Sequence, residues 1–271
     1  MIINVALTGA VPGKGDSPDV PITPDEIAAD AIACAAAGAS IVHVHVRDED
    51  GRQVHRADLY ERVIGPIRDA VPEVVVCGTT SGRGSADRRE RMTVLHLDPA
   101  LRPDMASLTL GSFNFPRAVS SNSFEDIEAL LCEMGELGIK PELEVFELGM
   151  VNTLHWLQSR GLVDSRPYVN ILLGSLGAAP AFVGDLARIV ERLPECEWAA
   201  AGIGVFQRSM VMAAIVMGGN VRTGVEDAPR DIDGSPSSNV RAVEHAVATA
   251  ALAGREVATP GDARRRLGLA P

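Results

Sequence analysis

Short apolar runs with a period of two alternate along the chain with longer segments whose apolar residues recur every three to four positions. The short runs predict eight β-strands, at residues 3–8, 41–46, 74–79, 105–110, 141–145, 168–173, 197–201 and 220–224. A predicted helix follows each strand, at residues 24–37, 57–70, 85–95, 123–137, 150–159, 181–192, 207–217 and 238–253. Eight strand–helix pairs indicate a parallel sheet, and the expected fold is a closed (β/α)8 TIM barrel.

The alternative for this pattern is an open, doubly wound sheet. Such a sheet usually has about six strands and a glycine-rich dinucleotide turn after the first one. Residues 8–13, TGAVPG, do not have the G-x-G-x-x-G spacing of that turn. The barrel is therefore favoured, as one domain over residues 1–271 with residues 259–271 as a C-terminal tail. Arg264, Arg265 and Arg266 in this tail are expected to be solvated or to face another subunit.

Local signals mark several helix ends. Thr23 followed by Pro24 predicts an N-cap with proline in the first helical position, so the first helix should begin at about Pro24. Gly38, Gly138 and Gly218 each follow a predicted helix and precede a predicted strand, which is typical of a helix C-terminus.

The amino-acid composition limits the classes of partner that the protein can have. Hydrophobic residues make up 46% of the chain but aromatic residues only 4%, which indicates an aliphatic core. The formal net charge of −11 argues against nucleic acid and anionic membranes as partners, because both need a basic surface. The start of the chain lacks a basic segment and a cleavage site, so the protein is expected to be soluble and cytoplasmic. The four cysteines are widely spaced and suggest neither disulfides nor a thiolate cluster.

The chemistry begins at the second predicted strand, IVHVHV at residues 41–46. The period of two places His43 and His45 on one face, with their Cβ atoms roughly 6–7 Å apart, so both imidazoles can reach one metal ion. The alternative is a pair of buried histidines bound to backbone carbonyls. Because the pair ends an apolar strand and Arg47 and Asp48 follow it, we favour the metal site.

Other polar residues fall at the carboxyl ends of predicted strands, where TIM barrels carry their active sites. Glu226 follows the eighth strand and could complete a His-His-Glu site with an open coordination position, as in catalytic zinc sites. The alternative for Glu226 and Asp227 is a solvated loop. Glu142 and Glu144 point into the barrel, where Arg222 or the metal could pair with them, or where one of them could belong to a structural ion-pair layer.

The segments that contain these residues resemble the β-keto acid cleavage enzymes. The matching segments are residues 37–48 (AGASIVHVHVRD), 79–82 (TTSG), 107–115 (SLTLGSFNF), 140–146 (KPELEVF), 202–207 (GIGVFQ) and 218–227 (GGNVRTGVED). The resemblance covers almost the whole chain. It implies a zinc-dependent (β/α)8 barrel that condenses a β-keto acid with acetyl-CoA, giving acetoacetate and an acyl-CoA. It also implies a homo-oligomer, most simply a tetramer.

The resemblance assigns roles to individual residues. It makes His43, His45 and Glu226 the Zn2+ ligands and Asp227 the general base, with Arg222 and Glu142 holding that aspartate. Thr80, Ser112 and Asn114 would contact the keto acid, although Thr79 or Ser81 could replace Thr80 after a shift of one residue. Two other functions stay open: a metal-dependent aldolase or hydrolase that does not use CoA, and an inactive ligand-binding barrel.

The first βα loop bears on the substrate. Members of the family that act on an aminated keto acid carry an acidic residue at the position of Val11. Valine cannot pair with an ammonium group, Lys14 would repel one, and Asp16 is expected to stay in solvent. The sequence therefore predicts a neutral or anionic β-keto acid, either short and aliphatic or a dicarboxylate paired with Lys14.

Overall fold

The structure is a computed structural model that describes residues 1–83, 87–116 and 118–270. Within these residues, eight parallel strands form a closed barrel: β1 Ile3–Ala6, β2 Ile41–Val44, β5 Val75–Gly78, β6 Met105–Thr109, β9 Lys140–Val145, β10 Tyr168–Leu173, β11 Glu197–Gly202 and β12 Asn220–Thr223. Their order around the barrel is the order along the chain, and β12 closes onto β1. The predicted fold is confirmed.

Two short antiparallel hairpins stand at the carboxyl ends of β2 and β6 and were not predicted. One pairs β3 Val46–Arg47 with β4 Gln53–Val54, and the other pairs β7 Phe113–Phe115 with β8 Ala118–Ser120. Strands of two or three residues are too short for a periodic pattern to reveal. Both hairpins follow the carboxyl ends of barrel strands, and the β7–β8 hairpin contributes Phe113, Phe115 and Ser120 to the wall of the mouth.

Helices surround the barrel: α1 Pro24–Ala37, α2 Ala57–Ala70, α3 Arg88–Arg91, α4 Phe124–Glu136, α5 Gly149–Ser159, α6 Val183–Val190, α7 Gln207–Val216, α8 Asn239–Leu252 and α9 Pro260–Leu267. The helix predicted at 85–95 is instead the single turn α3 followed by a 3-10 segment, Met92–His96. Residues 85 and 86 of that prediction lie outside the described residues. No helix of the described chain has the length and apolar character needed to cross a membrane.

The predicted start of α1 is confirmed. The Thr23 hydroxyl accepts a hydrogen bond from the Glu26 amide, and the Glu26 carboxylate accepts one from the Thr23 amide, which together form a capping box. Gly38 ends the helix with φ of 118°, in the left-handed region that favours glycine.

Alternating side chains fill the barrel interior in layers. The layer at the amino-terminal end is apolar, and the side chains above it are polar. The apolar layer consists of Ile2, Ile41, Val75, Cys77, Met105, Tyr168 and Ala199. Asn4, His43 and Asn170 follow Ile2, Ile41 and Tyr168 by two residues, Glu142 and Arg222 lie beside Asn4, and all five are buried. The apolar layer closes one end of the barrel, so polar chemistry is confined to the other end.

The C-terminal residues do not form a tail, because residues 260–267 fold into α9 across the apolar end of the barrel. Ala263 and Leu267 pack against the apolar layer. Arg264 is buried, and it donates hydrogen bonds to the Glu73 carbonyl at 2.7 Å and to the Asp104 carboxylate at 2.9 Å. The expectation that all three arginines are solvated or face a neighbour is therefore wrong for Arg264, which joins α9 to the barrel.

We expect Arg264→Ala to lower the free energy of unfolding by roughly 3 kcal/mol, since breaking a buried ion pair leaves its partner without compensation. Urea unfolding followed by circular dichroism measures this change. Arg265→Ala is the matched control, because the Arg265 side chain is 74% exposed and its loss should change stability by less than about 0.5 kcal/mol. Equal effects of the two substitutions would contradict the bracing role of Arg264.

Candidate active site

Two histidines form the centre of the mouth. The strand β2 places His43 in the interior, and His45 follows it where the strand ends and the β3–β4 hairpin begins. The two imidazole centroids lie 5.2 Å apart, and both side chains are buried. The predicted shared face of the two histidines is confirmed.

Glu226 reaches the histidines from the loop after β12. Its Oε1 atom lies 3.4 Å from Nε2 of His45, and the potential ligand atoms of His43, His45 and Glu226 all lie within 4.8 Å of one another. Gly9 permits this approach, because a Cβ atom there would overlap the Glu226 side chain. Nδ1 of His45 and Oε2 of Glu226 are buried without a hydrogen-bond partner among the described residues. Two nitrogen donors, one carboxylate and unsatisfied buried atoms fit a metal ion.

The loop that carries Glu226 is held by Asn239 at the start of α8. The Asn239 side chain accepts a hydrogen bond from the Val225 amide at 2.7 Å and donates to the Leu7 carbonyl at 2.8 Å. It also donates to the Asp30 carboxylate of α1 at 2.5 Å. The Asn239 side chain thus connects the carboxyl ends of β1 and β12 beneath the loop that carries Glu226.

Asp30 makes this contact at a cost. Burial raises the pKa of Asp30 from 3.8 to about 6, although the hydrogen bond from Asn239 opposes the shift. The folded state therefore holds a proton that the unfolded chain releases between about pH 4 and pH 6, so this group makes stability fall as pH rises across that window.

We expect Asp30→Asn to remove this dependence and to raise stability at pH 7 by about 1–2 kcal/mol, since asparagine still accepts from Asn239 but carries no charge. Chemical unfolding at several pH values between 4 and 8 measures the effect. Asp25→Asn, an exposed position in the same helix, is the control and should leave the pH dependence unchanged. If the wild-type protein and Asp30→Asn follow parallel curves, Asp30 is not the titrating group.

A second possible ligand set shares His43. Nδ1 of His43 lies 3.2 Å from Oε2 of Glu142, and the Cys77 thiol donates to the same oxygen at 3.3 Å. The potential ligand atoms of His43, Cys77 and Glu142 also lie within 4.8 Å of one another, and all three residues are buried. However, Glu142 already accepts hydrogen bonds from Asn4 at 2.5 Å and Asn170 at 3.1 Å. Its carboxylate is thus satisfied by protein donors, and it serves best to orient the His43 ring from below.

Arg222 connects the acidic residues of the site. The guanidinium donates to both carboxylate oxygens of Asp227, at 2.8 and 3.2 Å, and to Glu226 at 3.0 Å. It also lies 3.5 Å from Glu144 and 4.0 Å from Glu142. Because Arg222 is only 2% exposed, these contacts are largely desolvated and therefore strong. Because Arg222 contacts both carboxylate oxygens, the Asp227 carboxylate is held in one orientation.

The pKa values of the neighbouring acids Asp227 and Glu226 are shifted in opposite directions. Burial raises the pKa of Asp227 above its usual value, and the neighbouring Glu226 charge adds to the rise, although Arg222 opposes it. Burial would also raise the pKa of Glu226, but His45, Arg222 and His43 hold it well below its usual value. Asp227 is thus the stronger proton acceptor of the adjacent pair, while Glu226 stays ionised. Burial would lower the pKa of His43, but the Glu226 and Glu142 carboxylates raise it, and the same negative field would attract a metal cation.

An open cavity of about 530 Å³ lies above these groups. His43, His45, Arg222, Glu226 and Asp227 form its floor, whereas Glu142 lies beneath the floor and does not line it. A volume of this size is ordinary for a small-molecule site. The predicted ligand, base and arginine residues are therefore brought together at one mouth, with Glu142 supporting them from below.

The three predicted substrate contacts are not part of the cavity lining. The Thr80 hydroxyl donates to the Ser107 carbonyl at 2.5 Å, and the exposed Ser112 accepts from the Asn122 amide at 2.8 Å. Asn114 lies on the exposed side of the β7–β8 hairpin. Because side chains alternate along extended backbone, the turn after β5 directs Thr79 and Ser81, not Thr80, into the cavity.

Sequence reasoning missed other lining residues. Ser107 and Thr109 of β6 face the cavity, as does Arg83. A signal for the first two was present, because they continue the inward alternation that begins at Met105. Arg83 had no such signal, since its position depends on a hairpin that periodicity does not reveal.

The first βα loop lies over the cavity as expected, but its charges are arranged differently. Val11 lines the cavity. Lys14 does not, since its ammonium lies 2.9 Å from the Glu26 carboxylate. Asp16, expected in solvent, is exposed but also borders the cavity, and its carboxylate accepts from the Gly13 amide at 3.0 Å. The pairing of a substrate carboxylate with Lys14 is therefore not supported by the geometry.

The sequence of the whole chain decides the family. A family model described as beta-keto acid cleavage enzyme matches residues 1–269. The chain belongs to the β-keto acid cleavage enzyme family. The resemblance inferred from its motifs is thereby confirmed.

Several named proteins are similar to this chain along nearly its whole length. The 3-oxoadipate:acetyl-CoA acetyltransferase of Cupriavidus necator is 39% identical over 273 residues, covering 99% of this chain and 94% of that protein. The 3-keto-5-aminohexanoate cleavage enzyme of Fusobacterium nucleatum is 36% identical, covering 99% and 98%. The 3-dehydrocarnitine:acetyl-CoA trimethylamine transferase of Rhizobium meliloti is 32% identical, covering 98% and 96%.

Among solved structures, the complex of ObcA with oxaloacetate superposes with a TM-score of 0.84 at 20% identity, covering 94% of this chain and 68% of ObcA. At this level of identity the likeness shows a shared fold.

Proposed function

We propose that the protein is a zinc-dependent C-acyltransferase that condenses a β-keto acid with acetyl-CoA to give acetoacetate and an acyl-CoA. The observation that carries the proposal is the convergence of His43, His45 and Glu226 at the mouth, beside an Asp227 carboxylate held by Arg222. Membership in the β-keto acid cleavage enzyme family supports the same reaction class. The names of two relatives, which include acetyl-CoA, support the co-substrate.

His43, His45 and Glu226 would hold the zinc ion, and the unsatisfied atoms of His45 and Glu226 support this ligand set. When bound, zinc would act as a Lewis acid on the oxygens of the β-keto acid and so acidify the C–H bond between its two carbonyl groups.

Asp227 would take the proton from the carbon between the keto and carboxylate groups. Its position at the cavity wall and its raised pKa suit a base for a C–H bond of this kind. Arg222 would keep the carboxylate oriented and would stay bound to it after protonation, which prevents the base from turning away. Glu142 would act through His43, as a positioning residue.

The following steps balance without a cysteine nucleophile. The carbon that lost its proton attacks the carbonyl carbon of acetyl-CoA, and CoA leaves as a thiolate. The thiolate then attacks the original keto carbon, and the bond between that carbon and the new acetoacetate unit breaks. The electron pair of that bond stays on the acetoacetate carbon, which takes back the proton that Asp227 accepted. Of the cysteines, Cys77 lies nearest to the site, and burial together with the Glu142 carboxylate raises the pKa of its thiol well above the usual value, so it stays protonated.

Hydroxyl groups would bind the carboxylate of the keto acid. Thr79 accepts a hydrogen bond from the Ser81 amide at 3.1 Å, and Ser81 accepts one from the Arg83 amide at 3.2 Å. A hydroxyl that accepts from the backbone still has its own proton to donate. Both hydroxyls line the cavity and can therefore donate to a substrate carboxylate.

A basic cluster next to the mouth supports a phosphorylated co-substrate. Arg208, Arg230 and Arg241 line a second, smaller pocket beside the loops after β11 and β12. Asp231, which pairs with Arg208 and Arg241, is the one carboxylate among the described residues of its lining. Gly204 borders both this pocket and the main cavity. The loops after the last two strands are the usual phosphate-binding place of TIM barrels, so we assign the CoA phosphates to this cluster.

The experiment is an assay of acetoacetate formation from a panel of β-keto acids with and without acetyl-CoA. We expect acetoacetate and a new acyl-CoA in equal amounts, and only when acetyl-CoA is present. An aldolase or hydrolase would consume the keto acid without CoA, and a ligand-binding barrel would consume none. Homotetramer assembly and a cytoplasmic location stay predictions from the family resemblance and the sequence.

A further inference from the structure

Among the residues that the structure describes, Arg83 is the one cation of the cavity lining that the proposed mechanism does not use. It follows the turn after β5, two residues beyond Ser81, and lines the cavity with Phe115. Its guanidinium carbon lies 3.9 Å from the centroid of the Phe115 ring, so the cation stacks on an aromatic face that orients it.

The backbone fixes this position. The Arg83 amide donates to the Ser81 hydroxyl at 3.2 Å, and Arg83 forms an antiparallel bridge with Ser120 of the β7–β8 hairpin. Gly82 permits the close approach, because a Cβ atom there would overlap the Ser121 carbonyl. Arg83 is thus held between the turn and the hairpin, not carried on a free loop.

The cation has no carboxylate of its own. Among the described residues, no acidic group lies within ion-pair distance of Arg83, and the carboxylate that acts on it through the cavity belongs to Glu226. Glu226 is already bound by Arg222 at 3.0 Å and lies beside His45. The Arg83 side chain is half-buried and therefore partly desolvated, and this burial lowers the pKa of its guanidinium. A partly desolvated cation without a partner favours an anion in the cavity.

We propose that Arg83 binds a second carboxylate at the far end of the substrate, so that the preferred substrate is a β-keto dicarboxylate. This inference rests on the proposed function, which assigns the first carboxylate to the hydroxyls of Thr79 and Ser81. The aromatic side chains of Phe113, Phe115 and Phe146 form one cluster at the cavity wall and provide an apolar surface for the methylene groups between the two carboxylates.

Asp16 is the competing charge at the same cavity. It would favour an ammonium group, but its side chain is exposed and therefore screened by water, whereas Arg83 is partly buried. A charge in a less hydrated position has the larger effect on selectivity. The order expected for kcat/KM is therefore 3-oxoadipate first, 3-oxohexanoate, whose far end is uncharged, second, and 3-oxo-5-aminohexanoate last.

The test compares these three keto acids in wild-type protein and in Arg83→Gln, Arg83→Lys and Lys14→Gln. A charged hydrogen bond contributes a factor of roughly 10 to 100, so Arg83→Gln should lower kcat/KM for 3-oxoadipate by about that factor. The value for 3-oxohexanoate should change by less than about threefold. Arg83→Lys should retain part of the preference, because it keeps the charge but loses the two-pronged contact. Lys14→Gln is the matched control and should leave all three values unchanged.

Calorimetric binding of 3-oxoadipate without acetyl-CoA separates this inference from the proposed function. If no keto acid yields acetoacetate but Arg83→Gln still weakens 3-oxoadipate binding selectively, the reaction is wrong and the dicarboxylate site stands. Equal losses for 3-oxoadipate and 3-oxohexanoate would place Arg83 on the first carboxylate and overturn the inference. A selective loss in Lys14→Gln, a preference for the aminated acid, or no binding of 3-oxoadipate would overturn it as well.

Discussion

Asp227→Asn is expected to lower kcat by roughly 10²–10⁴-fold, the usual contribution of a general base. Asparagine has nearly the same shape and can still accept a hydrogen bond from Arg222, but it cannot take a proton from the keto acid. Its neighbour Glu226 is a potential metal ligand with its own contacts to Arg222 and His45, so metal content should not change. Steady-state kinetics with acetyl-CoA, together with thermal unfolding and metal analysis, measures all three quantities.

Asp50→Asn is a suitable control, because this carboxylate is exposed and does not line the cavity. It should retain full activity. If Asp227→Asn stays active, the base is another acid, and Glu144 is the next candidate, because it lines the cavity and burial raises its pKa. If Asp227→Asn loses its metal, the aspartate acts on the metal site instead.

Glu226→Gln and His45→Ala are expected to reduce bound zinc from about one equivalent per chain to nearly none and to abolish activity. Catalytic zinc sites use three protein ligands, so the loss of one leaves only two ligands to hold the ion. The measurement is elemental analysis of protein purified without chelators. A metal that binds the folded state also raises its melting temperature, so a chelator should destabilise the wild-type protein more than either variant.

Further substitutions distinguish the two possible metal-ligand sets that share His43. His43→Ala removes a member of both sets and cannot distinguish them. Cys77→Ala removes the thiol of the lower set alone, and we expect this variant to keep its zinc. Glu142→Gln should weaken zinc binding by roughly 10- to 100-fold, as expected for a residue that orients a ligand from the second layer. A Cys77→Ala protein without zinc, beside a Glu226→Gln protein with full zinc, would place the metal in the lower set.

Much of the fold was contained in the sequence, since it depends on local periodicity. The ranges predicted for α1 and α2 agree with the structure, and β10 was also predicted at its observed bounds. The failures were the short hairpins, α9 and the helix predicted at 85–95, which is a single turn followed by a 3-10 segment. The charged sequence of α9 resembles a solvated tail, and its burial depends on a binding surface made by residues from distant parts of the chain.

The central pair of the site was likewise determined locally. Two histidines separated by one residue on a strand must share a face, and the structure confirms this for His43 and His45. Alternation also determined that Glu142 and Glu144 point inward. The position of Arg222, Glu226 and Asp227 at the end of the eighth predicted strand brought them into consideration, and the family resemblance then assigned their roles. The structure brings all three to the same mouth.

Tertiary structure decided the details that local pattern leaves open. Whether Thr79, Thr80 or Ser81 faces the cavity depends on the path of a turn, and a change of one residue reverses the direction of a side chain. The environments of Lys14 and Arg83 depend on contacts made far along the chain, with Glu26 of α1 in one case and with Phe115 of a hairpin in the other. The sequence by itself determined which side chains of one strand share a face, because strand alternation is a local property. Only the closed barrel decided which charges meet the cavity, because desolvation and pairing depend on every element packed around a group.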